Sequence, residues 1–530
     1  MIETYDTTLR DGTQSEDVTC LVEDKLKITE LLDELGIDII EGGWPGSNPK
    51  DEAYFRDVGT LKLSHSKIAA FGSTYRASMS PETDPIFEKL VKAETPIVTI
   101  FGKSWDLHVT NALNIELEKN LELIFESIRY LLGYTDRVIY DAEHFFDGYI
   151  ANKEYAMKTI LAASEAGADT IVLCETNGGR LPGEVGKIIE DVKKAIKVKI
   201  GIHAHNDSEC AVANSLVATE RGATHVQGTI NGYGERCGNA NLCSIIPDLE
   251  LKMGKKCLGL ENLKKLSSVS RKVDEILNLR HNNHLPFVGK SAFAHKGGVH
   301  VSAILKDRKT YEHIDPSLVG NKQRVLISDL SGASNVAYKA KELGLDLQKN
   351  TPAAREVLAE IKKKENLGYY FESADASFIM MVKRALNQVP DYFRLISYRV
   401  LDERRENETA PLVEATVRVS VNGITAHTAS LGNGPVSAFD QALRAALKQF
   451  YPTLSECRLT DYKVRILVPT EGAQASIRVL ITTKDSDSSW ETVGVSTDIL
   501  DASKDAICDS IIYKLLKDKI RIKNGSDTSV

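Results

Sequence analysis

The stretch Lys199-Ile200-Gly201-Ile202-His203-Ala204-His205-Asn206-Asp207 opens as a short strand-like run and closes on polar residues suited to a loop. It belongs to a series. Ile2–Tyr5, Ile37–Glu41, Lys67–Phe71, Ile97–Phe101, Arg137–Tyr140 and Thr170–Cys174 precede Lys199–His203, and His225–Thr229 follows, which makes eight β-rich segments before residue 235. The intervals between them, such as Glu23–Leu35 and Ala151–Ala166, carry apolar residues at helical spacing. Eight strand–helix alternations in about 270 residues predict a (β/α)8 TIM barrel. An open doubly wound sheet is the competing arrangement, but it usually has fewer strands and a Gly-rich phosphate loop after the first, and this chain has no such loop.

Beyond about 280 the alternation stops. A mostly helical connecting region with polar loops is expected to about 390, including the basic Lys341–Lys364. From there the chain reads as alternating strands with an internal repeat: Ala415-Thr416-Val417-Arg418-Val419 is echoed by Ala475-Ser476-Ile477-Arg478-Val479. Each copy is followed by more strand-like sequence and then by a helix, beginning near Val436 and near Leu500. The expectation is a barrel over 1–280, a connecting region over 281–390 and an α+β domain of two βββα units over 391–530, with Asn524–Val530 a polar, frayed tail.

The chain is too long for one ordinary core, and its 42% hydrophobic and 26% charged residues are typical of soluble globular proteins. A net charge of -8 offers no basic surface for nucleic acid or anionic lipid. No signal peptide is visible, and no run approaches the roughly 20 apolar residues that span a bilayer. The eight cysteines form no CxxC pair. A reducing cytoplasm is the expected compartment.

The first segment runs into Thr7-Thr8-Leu9-Arg10-Asp11-Gly12-Thr13-Gln14, which sets Arg10, Asp11 and Gln14 at the catalytic face of a barrel. Alone, an Arg-Asp-Gly turn is commonplace. His203 and His205 lie two apart at a strand end and so point to the same side, a natural metal-chelating pair. After the eighth segment comes Asn231-Gly232-Tyr233-Gly234-Glu235-Arg236-Cys237-Gly238-Asn239-Ala240, whose glycines by themselves indicate only a tight turn. Asp11, His203, His205 and Asn239 together make a mixed oxygen and nitrogen set for Mn, Mg or Zn.

Three motifs in order, Leu9-Arg10-Asp11-Gly12-Thr13-Gln14, His203-Ala204-His205-Asn206-Asp207 and Gly232-Tyr233-Gly234-Glu235-Arg236-Cys237-Gly238-Asn239-Ala240, resemble the signatures of the isopropylmalate, homocitrate and citramalate synthases. The resemblance extends through Ser291–His300 and Lys309–Pro316, and the duplicated unit looks like the amino-acid-sensing dimer domain of isopropylmalate synthase. It implies a Claisen condensation of acetyl-CoA with a 2-oxo acid. Asp11, His203 and His205 would bind the divalent ion, with Asn239 a weaker ligand. Arg10 would stabilise charge on the ketone oxygen, and Thr176 would contact the substrate carboxylate. Gln14, Glu41 and His108 would complete the substrate shell. Glu143 matches the family's base for the acetyl methyl group, with His300 and Tyr311 contributed by the connecting region; His295 is the alternative histidine.

The chain also departs from the isopropylmalate synthases, with Asp141-Ala142-Glu143 in place of Ser-Pro-Glu and Glu175-Thr176-Asn177-Gly178 in place of Asp-Thr-Val-Gly. The stretch Glu41–Asp51 and the loop Gly102-Lys103-Ser104-Trp105 look most like the citramalate branch, which implies pyruvate. Trp44 and Trp105 suit barrel-rim packing and pocket lining equally; as pocket lining they favour a small substrate. The related lyases typically carry a cysteine-bearing glycine loop and lack the duplicated domain. A non-catalytic sensor on a decayed barrel should have lost some of Arg10, Asp11, Glu143, His203 and His205. The resemblance further implies a homodimer and an amino-acid effector, isoleucine first and leucine second.

Overall fold

The computed structural model describes residues 1–403, 412–467 and 475–525, the last helix by its side chains only as far as 518. The expected frayed tail therefore lies largely outside the described residues. Two compact units emerge, one of Met1–Phe293 with His313–Gln323, the other of Ala294–Glu312 with Arg324–Val530.

The first unit is built on a closed parallel barrel of β1 (Glu3–Asp6), β2 (Ile39–Gly43), β3 (Lys67–Ser73), β4 (Ile97–Lys103), β5 (Arg137–Glu143), β6 (Thr170–Glu175), β7 (Lys199–Ala204) and β8 (His225–Gly228). Pairing of β1 with β8, Glu3 beside His225 and Asp6 beside Gly228, closes the ring. All eight expected strands form, because each run alternates residues between barrel interior and helix layer. Tyr5, Ile39, Ala69, Ile97, Ile139, Val172 and Cys174 make the inner cluster. Gly201 must stay small, since a Cβ there would come within 2.8 Å of both Val172 and His225. The larger core lies between strands and helices, where Ile28, Leu32 and Leu35 of helix Val22–Leu35 and Ala156, Ile160 and Ala163 of helix Lys153–Ala166 are fully buried. At the N-terminal end of the barrel, Glu3 accepts both guanidinium nitrogens of Arg137 (2.9 and 3.0 Å) and lies 2.9 Å from His225 Nδ1. The C-terminal end is thereby left for chemistry.

The second unit begins with a two-stranded parallel ladder, β9 (Ala294–His295) on β10 (Arg324–Val325), and the helices Gly298–Ile304, Ala333–Glu342, Pro352–Asn366 and Asp375–Ala385. Two antiparallel sheets follow: β11 (Arg394–Glu403), β12 (Leu412–Val421) and β13 (Ile424–Gly432), then β14 (Arg458–Ile466), β15 (Ile477–Lys484) and β16 (Ser489–Ser496). Each is followed by a helix, Pro435–Lys448 and Ile499–Gly525. The duplication runs further than its motif: β11 and β14 both open with Arg-Leu, and each has a bulge just after, between Leu395 and Ser397 and between Leu459 and Asp461. Val413, Val417, Phe439 and Leu443 of one copy share a core with Val479, Ile481, Ala506 and Ile511 of the other. Among the described residues no helix is long and apolar enough to cross a membrane.

Candidate active site

The sequence-predicted ligands meet at the C-terminal rim of the barrel. Asp11 follows β1, and its Oδ2 lies 3.5 Å from His203 Nε2 and 3.9 Å from His205 Nε2, the two imidazole nitrogens being 3.3 Å apart. All three side chains are buried, and their ligand atoms lie within 4.8 Å of one another. An isolated bridge between His205 and Asn239 brings the glycine-dense loop alongside. Asn239 turns its Nδ2 to the Tyr233 carbonyl at 3.3 Å. Its Oδ1 and the Asp11 Oδ1 are buried without a hydrogen-bond partner. Orphaned acceptors beside two convergent imidazoles are what a divalent ion satisfies, so the residues present fit one.

The electrostatics agree. Burial alone would raise the Asp11 carboxyl, but Arg10, His203 and His205 outweigh it and hold it well below the usual carboxylate range. Burial likewise opposes a charge on His203, yet Asp11 draws a proton there and raises it. His205 is pushed down to about 3 by burial and by His203. Asp11 thus stays ionised, and His205 stays neutral with a ring nitrogen free to act as a ligand.

Behind the ligands stands a support that sequence reasoning missed. Gln227 Nε2 donates to Asp141 Oδ1 at 3.1 Å, which leaves its Oε1 to accept from His203 Nδ1 at 3.0 Å. With Nδ1 engaged by Gln227, His203 Nε2 is turned toward Asp11 and, once it gives up its proton, can bind a divalent ion there. Burial and the nearby Glu41 raise the Asp141 carboxyl to about 7.

Arg10 lies over the Phe71 ring, 3.9 Å from its centroid, and its Nη1 reaches Asp11 Oδ2 at 3.1 Å. Its Nε donates to Glu41 Oε1, and Tyr5 donates to Glu41 Oε2 at 2.6 Å. Both Glu41 oxygens are engaged, so this carboxylate acts by holding Arg10. Trp44 meets Phe71 and Phe101 edge-on, with centroids 5.9 and 5.7 Å away, and the two Phe rings stack at 5.5 Å. An aromatic wall thus stands beside Arg10.

Further round the rim, Thr176 Oγ1 accepts the His144 N–H at 2.9 Å, leaving its own proton free to donate. His108 packs on His144 at 4.2 Å and on Trp105 at 5.2 Å, and burial and His144 lower its pKa. Arg236 forks onto Asp207 (2.8 and 2.9 Å) and donates to the Thr176 carbonyl at 2.7 Å, tying the loops after β6, β7 and β8 together. Glu143 ends β5 in an ion pair with Lys103, the last residue of β4. Gln14 is exposed, at the end of the short turn Gly12–Gln14. His300 and Tyr311 belong to the second unit, where their rings stack at 4.2 Å, while His295 instead pairs with buried Glu312 at 3.2 Å.

Comparison with known proteins extends this picture. The HMGL-like family model matches residues 1–273, the homocitrate synthase post-HMGL domain-like model 287–368, and the LeuA allosteric (dimerisation) domain 372–515. An (R)-citramalate synthase of Geobacter sulfurreducens is 57% identical, with 98% of each chain covered. The chain belongs to the (R)-citramalate synthases of the HMGL-like family. A second such enzyme, from Aquifex aeolicus, is 54% identical over 97% of this chain and 98% of that one. Similarity to a 2-isopropylmalate synthase of Methanocaldococcus jannaschii is 30% over 97% and 94%.

Proposed function

We infer that the chain condenses acetyl-CoA with pyruvate to give (R)-citramalate and CoA, at the C-terminal rim of the barrel. The observation that carries this reading is the convergence of Asp11, His203 and His205 on one buried point beside Arg10, in a chain 57% identical to an (R)-citramalate synthase. Those three side chains, with Asn239 alongside, hold a divalent ion, which is Mn, Mg or Zn by the donor set. Bound there, such an ion supplies Lewis acidity toward the oxo acid.

The remaining steps fall to side chains. Glu143 takes a proton from the acetyl methyl group, and the carbon so freed attacks the ketone carbon of pyruvate. Arg10, fixed by Glu41 and Phe71, stabilises the charge that develops on the ketone oxygen. Thr176 donates to the oxo-acid carboxylate, and His108 lies on the same rim. His300 and Tyr311 assist proton transfer, and water then cleaves the thioester to release CoA. The wall of Trp44, Phe71 and Phe101 supports a small oxo acid, because bulk beside Arg10 leaves less room for a branched side chain.

The duplicated domain serves dimerisation and effector binding, with isoleucine, the end product of a threonine-independent route through citramalate, as first choice and leucine as second. Exposed Ile396, Leu401, Leu431, Val464 and Ile466 on its strands support a partner surface. The test is thiol release from acetyl-CoA with pyruvate, 2-oxoisovalerate and 2-oxoglutarate side by side, with and without a chelator. Pyruvate should be the best substrate and chelation should stop it reversibly. Preference for 2-oxoisovalerate would make the enzyme an isopropylmalate synthase.

A further inference from the structure

Lys103 and Glu143 are partners in the register of β4 and β5, one residue at the end of each strand. In-register residues on neighbouring parallel strands lie about 4.8 Å apart and point to the same side. Their ammonium and carboxylate are joined as an ion pair, with only 19% and 23% of the side chains exposed. A surface lysine would wander; this one is pinned. Its carbonyl accepts from Asn120 Nδ2 at 2.9 Å, and Asn120 is buried and held in turn by Tyr155 at 2.9 Å. The next residue, Ser104, donates its N–H to the Glu143 carbonyl at 3.1 Å, so the two main chains are locked beyond the last strand pair. The Lys103 ammonium also lies 5.4 Å from the centroid of Phe101, part of the aromatic wall.

We propose that Lys103 is a positioning residue for condensation: its ammonium holds the Glu143 carboxylate turned along the rim, ready to take the acetyl proton. This rests on the reading of Glu143 as the base. A carboxylate already turned toward the reacting carbon loses less freedom on reaching it than one that must first be oriented. The partly desolvated setting strengthens the pairing relative to one in open solvent. The other titratable groups facing Glu143 are His108 from the segment after β4, Tyr140 on its own strand, Cys174 on β6, and His144, the next residue. Lys103 is the one of these in ion-pair contact with Glu143.

The experiment is steady-state thiol release by the full-length enzyme with acetyl-CoA and pyruvate, from pH 5.5 to 9, for the native chain, Lys103→Met, Lys103→Arg and Glu143→Gln. Lys103→Met should lower kcat by roughly ten- to a hundredfold with the pyruvate KM within about twofold, a part of what a general base contributes. Lys103→Arg, which keeps the cation beside Glu143, should restore most of the kcat. If Lys103→Met does not fold, Lys103→Gln removes the same charge and gives the same reading. Native-like kcat in Lys103→Met, or no rescue by Lys103→Arg, with Glu143→Gln inactive, overturns the proposal for Lys103. Native-like kcat in Glu143→Gln overturns the role of Glu143 instead.

Discussion

Gln227 touches no candidate substrate atom, yet it decides which nitrogen of His203 is free. Its amide links Asp141 of β5 to the His203 imidazole of β7, 3.1 and 3.0 Å away. Replacing it with methionine keeps the volume and removes the acceptor, so the His203 ring loses its orientation. Gln227→Met should weaken divalent-metal binding by about 10- to 100-fold while the circular dichroism spectrum stays native. Calorimetric titration of the metal-free protein with Mn or Zn measures this, and unchanged affinity would mean that Asp11 and His205 alone orient the site. The histidines themselves were legible from their spacing of two at a strand end, but Gln227 was not. Its partner Asp141 is 86 residues away, and only closure of the barrel brings the two side chains together.

Among the elements, the loop after β8 shows how glycine serves geometry. Gly238 has φ +92°, and a Cβ there would stand 2.1 Å from the Gly232 carbonyl oxygen. That carbonyl accepts the N–H of Asn239 at 3.1 Å, so the turn places the fourth candidate ligand. Gly238→Ala should cost about 1–3 kcal/mol of stability and should weaken metal binding as well. A thermal melt paired with a metal titration separates the two effects; a variant with native metal affinity would remove the loop from the site. A second junction carries a pH signature. Asp33, near the end of helix Val22–Leu35, accepts the N–H groups of Ser64, His65 and Ser66 (2.8, 2.8 and 2.7 Å) just ahead of β3. Burial opposes its ionisation, but these N–H groups outweigh burial and bring the carboxyl down to about 2. The unfolded value is about 3.9. The folded pKa is therefore the lower one, so this stabilisation is complete above pH ~4 and is lost as pH falls through about 2. Asp33→Asn should cost about 2 kcal/mol at neutral pH, and about half of that by pH ~3, in urea unfolding at the two pH values. A cost that does not change with pH would trace the loss to geometry alone.

On the scale of the whole molecule, the connecting helices are not an independent linker. Val336, Val357, Ile361, Phe371, Phe378 and Val382 form one core cluster that also contains Val493 of β16 and packs against Leu480 of β15. Ser377 Oγ accepts the Val493 N–H at 3.0 Å, so the bond between them is buried. Cutting the chain after residue 390 would uncover this face. With the proposed isoleucine site in that domain, the truncated protein should lose inhibition by isoleucine, and it should also melt several degrees lower and bind a hydrophobic dye. Inhibition and melting measured on both proteins check this. Full retention of inhibition would place the effector site before residue 390, and an unchanged melting point would mean that the connecting helices stand without β15 and β16.

What the amino-acid sequence determined by itself was everything set by local period: the eight barrel strands, the helices between them, the repeat of the last domain, and the pairing of His203 with His205. Alternation of two in strands and recurrence at helical spacing are properties of neighbouring residues, so they can be read without a fold. The motifs around Arg10, Glu143 and Asn239 were legible for a different reason, resemblance to a family, and that resemblance supplied roles without supplying contacts. Only the tertiary structure decided that Glu41 spends both oxygens on Arg10 and Tyr5, that Lys103 is bound to Glu143, that Gln227 and Asp141 stand behind His203, and that Gln14 is exposed. Each of those facts depends on the register between strands or on closure of the ring. Register sets which side chains from distant segments share a face, and no local pattern records it.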